Sequence, residues 1–523
     1  MKKMTKLLAL VLAVAMLVTC FAGCGSNNRG NVAGGEGNTE TDIKLQYWNS
    51  GFGSAWIKKT VERFHKLYPE YKVDLQMSAS NASILAAMGQ EDIDDTDIYI
   101  VNCPPQYRPY LEPLTDVYEM TPKNATKKVG EHFQKEWLDA GRFQDGNLYV
   151  LPAIGASRYS MIYNKAMFDK YSLRTPRTTN EASVIADALL AEGIPAFCSF
   201  MGAGYWAQAC YVWYAQYEGI DYALNNYFGC KDPATGESPS KAVFLKKDGR
   251  YEIMKALQGM LDSKYVLQGS NSTSHTLIQT YLVQGKAAMM YNGAWLENEA
   301  ASAGNLDNFD CFRLPLLSSI TNKLSTVKSE SDLRKLISAV DSVLDGEKTE
   351  ADYKSGSGYK VEGKNVAAAD WNHIISARRI AYGSPIVGGT FVPKYSTAIK
   401  GAKEFIAYMI SEENVKAIAE QQHYAVGGVD YSKVKINTAE WTPFSRNMFE
   451  LEATYTNGIA DQNIANHDIF NKGGADLFAN VEFISHYQTN NAADKWTADQ
   501  AWSNLTQSVE SKYLITWLAN INS

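Results

Sequence analysis

The chain has 523 residues, of which 45% are hydrophobic, 12% aromatic and 20% charged, with a formal net charge of −7. That is length for two large domains or more, each with its own core, while an acidic, aromatic-rich chain without a basic run argues against a nucleic-acid partner. There is no HExxH, no CxxC and no GxxxxGK(S/T), so metalloprotease, zinc-ribbon and P-loop ATPase motifs are absent, and neither a metal nor a cofactor is expected.

Lys2, Lys3 and Lys6 precede an uninterrupted apolar run from Leu7 to Val18 and then Thr19-Cys20-Phe21-Ala22-Gly23-Cys24. A basic start, an apolar stretch too short to span a bilayer and a small-residue cleavage site read as a signal peptide over 1–23. Loss of its three lysines takes the formal charge from −7 to −10. From Gly25 to Thr41 the chain is mostly Gly, Asn, Ser, Thr and Ala, a composition that buries too little apolar surface to offset its ordering entropy. Residues 24–41 are therefore expected to form a flexible tether. Of the seven cysteines, Cys103, Cys198, Cys210, Cys230 and Cys311 remain after the leader. An odd number without paired spacing predicts mostly free, buried thiols, with room for one disulfide.

Ile43, Leu45 and Tyr47 alternate with polar residues as in a strand, which ends at the loop Trp48-Asn49-Ser50-Gly51-Phe52-Gly53. Ser54 is placed to cap a helix carrying Ile57, Val61, Phe64 and Tyr68, with Pro69 as its stop, and Tyr71, Val73 and Leu75 alternate again. This βαβ pattern predicts parallel strands with Trp48 at a strand's carboxyl end, where α/β sheets bind ligands. The run Asp97 to Val101 predicts a further strand ending at Asn102-Cys103-Pro104-Pro105-Gln106, so Trp48 and Asn102 should share one sheet edge. The acidic run from Glu91 to Asp97 lacks the glycine and closing Glu of a calcium loop and reads as a solvated loop.

Further along, Tyr159 to Tyr163 reads as a strand and Lys165 to Tyr171 as a short helix. The turn Thr175-Pro176-Arg177-Thr178 leads to an Ala-rich helix over Glu181 to Ala191, and Ile194 to Phe200 is the next strand. It runs into a glycine loop, Met201 to Trp206, followed by a helix with Trp213, Tyr214 and Tyr217. In GKAAMMYNGAWLENEA, Gly285 to Ala300, a strand over Lys286 to Tyr291 meets the turn Asn292-Gly293 and a helix from Leu296. Trp295 then lies just past a strand end, flanked by Asn292 and Glu297. Ser329 to Leu344 has helical spacing at Leu333, Leu336, Ile337, Val340 and Leu344, and a loop rich in Gly, Ser and Lys follows.

The segments IKLQYWNSGFGSAW, VERFHKLYP, DIYIVN, LPAIGASRYSMIYNKAMF, GKAAMMYNGAW and FVPKYSTAIKGAKEFIAYMISEENVKAIAEQ together resemble the extracellular solute-binding proteins of bacterial carbohydrate ABC transporters, the relatives of maltose-binding protein. The resemblance implies an α/β, two-lobed periplasmic-binding-protein-like fold, each lobe a sheet flanked by helices, with the ligand cleft between lobes. It implies an N-terminal lobe from 42–157 and 315–430, the latter including an inserted segment at about 318–385. The C-terminal lobe would come from 158–314 and 431–523, with Cys311 to Leu317 as a return crossover. Phe21-Ala22-Gly23-Cys24 resembles the bacterial lipobox, which implies lipid on Cys24 and anchoring at the extracellular face of the cell membrane. Trp295 falls on the family's stacking tryptophan. Tyr205 and Trp206 fall where sugar-contacting residues stand, Ser157 falls on a ligand-binding glutamate, and Arg158 is adjacent. Loss of the family's carboxylates at these positions argues against maltose itself.

A sugar presents an apolar C–H face and a rim of hydroxyls, which aromatic faces and Asn, Glu or Arg suit respectively. The ligand-binding set expected is Trp48, Asn49, Asn102, Ser157, Arg158, Tyr205, Trp206, Asn292, Trp295, Glu297 and Tyr382, with Trp371 as a further aromatic of the insertion. Several of these have structural alternatives: Trp295 can be a core plug, Trp48 can pack under the helix at Trp56, Trp206 can join Trp213, and the insertion with Trp371 and Tyr382 can be a surface subdomain with no ligand role. The expected function is capture of a carbohydrate, an oligosaccharide in the first instance, for ABC permease subunits in the membrane, with no catalytic residue. A secreted glycosidase is the main alternative and requires two carboxyls roughly 5 to 9.5 Å apart across the scissile bond, a pairing that no motif here signals. A glycan-sensing or adhesion lipoprotein without a permease is the other.

Overall fold

A computed structural model describes residues 40–88, 90, 94–102, 105–143, 145–153, 159–199, 205–383, 389–423, 425–459, 468–476, 478 and 482–522. In chain order the strands are β1 (Asp42–Trp48), β2 (Lys72–Ser78), β3 (Ile98–Val101), β4 (Ser160–Asn164), β5 (Met289–Asn292), β6 (Phe309–Phe312), β7 (Lys354–Ser355), β8 (Gly358–Val361), β9 (Lys364–Val366), β10 (Ile380–Tyr382), β11 (Gly389–Phe391) and β12 (Asn457–Ile459). Helices used below are α1 (Ala55–Leu67), α2 (Tyr205–Glu218), α3 (His275–Val283), α4 (Leu296–Glu299), α5 (Glu330–Leu344), α6 (Ala368–Arg378) and α7 (Pro443–Ala453).

The first lobe is built on a sheet in the order β11-β3-β1-β2. β1 runs parallel to β2 and β3, and β11 closes the edge antiparallel to β3. Alternation in β1 buries Ile43, Leu45 and Tyr47 on one face. α1 covers that face because Trp56, Ile57, Thr60, Val61 and Phe64 fall on one helical stripe. Phe64 stacks on Tyr68 with ring centroids 4.6 Å apart and meets Phe405 edge-on at 5.1 Å, tying α1 to the helix Ile399–Met409. Ser54 occupies the cap position of α1, yet its hydroxyl makes no capping bond, which corrects the sequence reading.

The second lobe is built on the sheet β5-β4-β6, antiparallel throughout. The strand expected at Ile194 to Phe200 is reduced to single parallel bridges from Phe197 to Met289 and to Val266. A largely continuous core runs from Met161 and Phe197 through Trp206, Trp213 and Tyr291 to Trp517.

The inserted segment belongs to this core, not to the first lobe. Leu314, Leu316, Leu333, Ile337, Val340, Trp371 and Tyr382 pack in the second-lobe cluster, and first-lobe structure resumes at Gly389. Cys311 to Leu317 is accordingly no crossover: Leu316 exchanges backbone hydrogen bonds with Arg177 and Thr179 of the second lobe. The cause is the apolar stripe of α5, which has no face of its own sheet to cover and packs on α6. The Trp213 indole donates to the Pro315 carbonyl at 2.7 Å and the Gln216 amide to Ala377 at 3.1 Å, fastening both ends of the insertion to α2. The stretch after α5 is a three-stranded antiparallel sheet, β7-β8-β9, where a loop was expected. Left-handed Gly356 and Gly363 make its turns, and Trp371 lies flat on Tyr359 with ring centroids 4.2 Å apart. Trp371 is fully buried there and is not a cleft residue.

Candidate functional site

β5 ends at Asn292, and the register pairs Asn292 with Ser160, so the end of β5 and the start of β4 coincide at one sheet edge. Phe197 runs parallel to Met289, which brings the following chain, and with it the start of α2, to the same edge. Tyr159, Tyr205 and Trp295 therefore meet. The Trp295 ring lies 4.8 Å from Tyr159 at 72° and 6.2 Å from Tyr205 at 40°. Gly293 makes this possible: a Cβ there would lie 2.1 Å from Trp295 Cζ3, so only a glycine lets the indole fold back over its own turn.

The first lobe meets this cluster through the loop after β1. Phe52 is 6.2 Å from Trp295 and edge-on to it, the Asn298 amide donates to the Gly51 carbonyl, and Ala294 packs against the cores of both lobes. Phe52, Tyr159, Tyr205 and Trp295 are all half-exposed. The result is a band of aromatic faces between the lobes.

Tyr205, Gln279 and Glu299 form the polar side of the cluster. The Gln279 amide donates to the Tyr205 hydroxyl at 3.1 Å. Burial, followed by the nearby Glu299 charge, pushes the Tyr205 hydroxyl up to about 12 against the pull of Trp295 and Gln279. Burial also raises Glu299 above the usual carboxylate range, against weaker pulls from Gln279 and from His275.

The remaining expected residues separate into three groups. At the carboxyl edge of the first sheet, Trp48 is half-exposed, with its indole donating to Ala79 at 3.3 Å, and Asn49 is exposed. Asn102 is clasped through its backbone by the Asn81 side chain at 2.9 and 3.2 Å. Trp48 does not pack under Trp56, whose indole bonds the Tyr47 hydroxyl in the core.

The second group is corrected by burial or, for Glu297, by partners already in place. Trp206 is 2% exposed and stacks on Trp213 at 6.1 Å, because as the second residue of α2 it faces the core while Tyr205 faces the cleft. Asn292 is fully buried, and its carboxamide oxygen accepts from Gly293 at 2.8 Å, so it shapes the turn. Glu297 accepts hydroxyl bonds from Thr442, at 2.8 Å, and Ser445, fixing the start of α7. Tyr382 is 2% exposed and backs Tyr159 edge-on at 5.3 Å.

The third group, Ser157 and Arg158, lies outside the described residues, as do Cys103 and the lipidation candidate Cys24. Cys198, Cys210, Cys230 and Cys311 are free.

Sequence reasoning left out Phe52, Tyr159, Gln279 and Glu299. Phe52 stands between two glycines and Tyr159 directly before a strand, signals of the same kind that marked Trp48 and Trp295. Gln279 carries no such signal. Among the described residues there is no group of metal-ligating side chains, and no helix is long and apolar enough to cross a membrane.

The family model of bacterial extracellular solute-binding proteins matches residues 49–416. Among curated proteins there is no match. Among solved structures, a chitin oligosaccharide binding protein is 14% identical, with a TM-score of 0.58 and coverage of 91% of this chain and 100% of that one. RafE in complex with raffinose is 13% identical, with a TM-score of 0.55 and coverage of 90% and 99%. The maltose-bound MalE3 of T. maritima is 16% identical, with a TM-score of 0.53 and the same coverage. At these identities the likeness establishes the two-lobed α/β fold, and the family match extends over most of the chain. The protein thus belongs to the bacterial extracellular solute-binding proteins.

Proposed function

We propose that this protein captures a carbohydrate, an oligosaccharide in the first instance, between its two lobes and delivers it to the membrane subunits of an ABC permease. The observation that carries the reading is the half-exposed aromatic band of Phe52, Tyr159, Tyr205 and Trp295 between the lobes. Aromatic faces match the C–H face of a pyranose, and large aromatic side chains bring the greatest apolar area to such a contact. Relatives of the same fold hold raffinose and maltose. Trp48, Asn49 and Asn102 supply polar groups from the first-lobe edge, and Ser157 and Arg158 are further ligand contacts of this reading. The chain works from the extracellular face of the membrane, held there by lipid on Cys24 and the tether of residues 24–41. It binds without cleaving, as its family does.

Thermal-shift and calorimetric titration with raffinose, maltotriose and chitotriose, with product analysis of each hit, tests this. A ligand that binds the folded state raises the midpoint as RT ln(1 + [L]/Kd). Recovery of the sugar intact, with the shift abolished in Trp295→Ala, supports the reading. A cleaved sugar, or no response to any sugar class, overturns it.

A further inference from the structure

The loop after β1 and the end of α4 touch across the cleft at one tight point. A Cβ on Gly51 would lie 2.5 Å from Glu299 Oε1 and 3.0 Å from its Cδ, so the carboxyl is pressed against bare backbone of the other lobe. Beside it, Gln279 is fully buried. Among the described residues, each keeps one buried oxygen with no hydrogen bond, Glu299 Oε2 and Gln279 Oε1. Two buried acceptors in one cluster thus lack a donor from the described residues, and a neutral carboxyl carries one where a carboxylate carries none.

We propose that closure of the lobes is coupled to uptake of one proton by Glu299, which makes this carboxyl a pH-dependent latch on capture. The proposal rests on the reading of the cleft as the capture site and adds its regulation. Among the described residues, the groups facing Glu299 are few. α3 contributes His275 and Gln279, and α2 contributes the Tyr205 hydroxyl. The loop from Gly51 to Gly53 has no ionisable side chain, and on α4 itself Glu297 is engaged by Thr442 and Ser445. Burial opposes the charged form more strongly than Gln279 and His275 favour it.

Opening the lobes removes the Gly51 loop and returns part of the carboxyl's solvation, so the open state has the lower pKa. Below the ordinary glutamate value, roughly 4.3, both states are protonated and closure carries no charge penalty. As pH rises through the raised value of the closed state, the closed state must either hold its proton or bury a charge, and its population falls. Each unit of difference between the two states changes the closed-to-open ratio about tenfold between the acid and alkaline limits.

Small-angle scattering of the unliganded protein from pH 4.5 to 8 reads this directly. The radius of gyration of the parent should rise with pH, while that of Glu299→Gln, whose amide supplies the missing donor without titrating, should stay at the compact value throughout. Gly51→Trp, whose ring fills the point where the loop meets Glu299 and cannot be accommodated by a turn of that side chain alone, should be expanded at every pH. A parent radius independent of pH, with Gly51→Trp expanded, overturns the proton latch and leaves the hinged cleft standing. No change with pH or with Gly51→Trp overturns the latch together with the closing cleft.

Discussion

Replacing Asp341 by alanine isolates what holds the insertion on the second lobe. Asp341 of α5 accepts two hydrogen bonds from Arg378 of α6, from Nε and Nη2, each at 2.8 Å. The Arg378 side chain is 4% exposed and that of Asp341 19%. Arg378 keeps one other partner, the Leu314 carbonyl at 2.9 Å. Asp341 also lies 3.7 Å from Arg313, whose own partners are Asp345 at 2.6 Å and Thr454 at 2.9 Å. Removing one member of a buried pair leaves the other charge uncompensated and costs about 3 to 5 kcal/mol. The partial exposure of Asp341 and the surviving Leu314 contact place this case near the lower end, about 3 kcal/mol. The penalty belongs to the stranded guanidinium, so Asp341→Ala combined with Arg378→Met should recover most of it. Urea unfolding followed by circular dichroism and tryptophan fluorescence is the assay, with the transition containing the second lobe shifting to lower denaturant in Asp341→Ala. A loss under about 1 kcal/mol, or a double variant no more stable than the single one, would refute the reasoning.

Trp206 and Trp295 should respond in opposite ways. Trp206→Ala removes a fully packed ring and should cost about 3 to 5 kcal/mol of stability in the same urea assay, whereas Trp295→Ala should leave the midpoint nearly unchanged and abolish the sugar-induced thermal shift. Trp371→Ala should resemble Trp206→Ala, since the ring it removes is fully buried against Tyr359. Burial raises Asp145, but hydrogen bonds from Tyr149, the Asn147 amide and Arg108 outweigh it and hold the carboxyl at about 2. Its stabilisation is complete above the ordinary aspartate value of roughly 4 and is lost as pH falls toward about 2. Asp145→Asn should therefore lower the melting temperature at neutral pH, and the gap to the parent should close in acid; a gap independent of pH would count against the assignment.

Local pattern was enough for the individual elements. Alternation in Ile43, Leu45 and Tyr47 and the spacing of Ile57, Val61 and Phe64 specify β1 and α1, because each depends on which face of one element is apolar. The Asn292-Gly293 turn and the position of Trp295 just beyond it were legible for the same reason. Sequence alone could not assign each aromatic to cleft or core: Tyr205 and Trp206 are neighbours, yet one faces the lobes' interface and the other stacks on Trp213. That choice is made by the direction in which α2 leaves the sheet, a property of packing between distant segments. The insertion shows the same division. The helix after Ser329 follows from its periodicity, while its attachment to the second lobe depends on Trp213, Gln216, Asp341 and Arg378 meeting across the chain. Gln279 and Glu299 carry no motif, and their pairing beside Gly51 exists only because three separated segments converge at the edge of β5. Periodicity records what one element buries; only the tertiary fold decides against what, and therefore which side chains are left to meet a ligand.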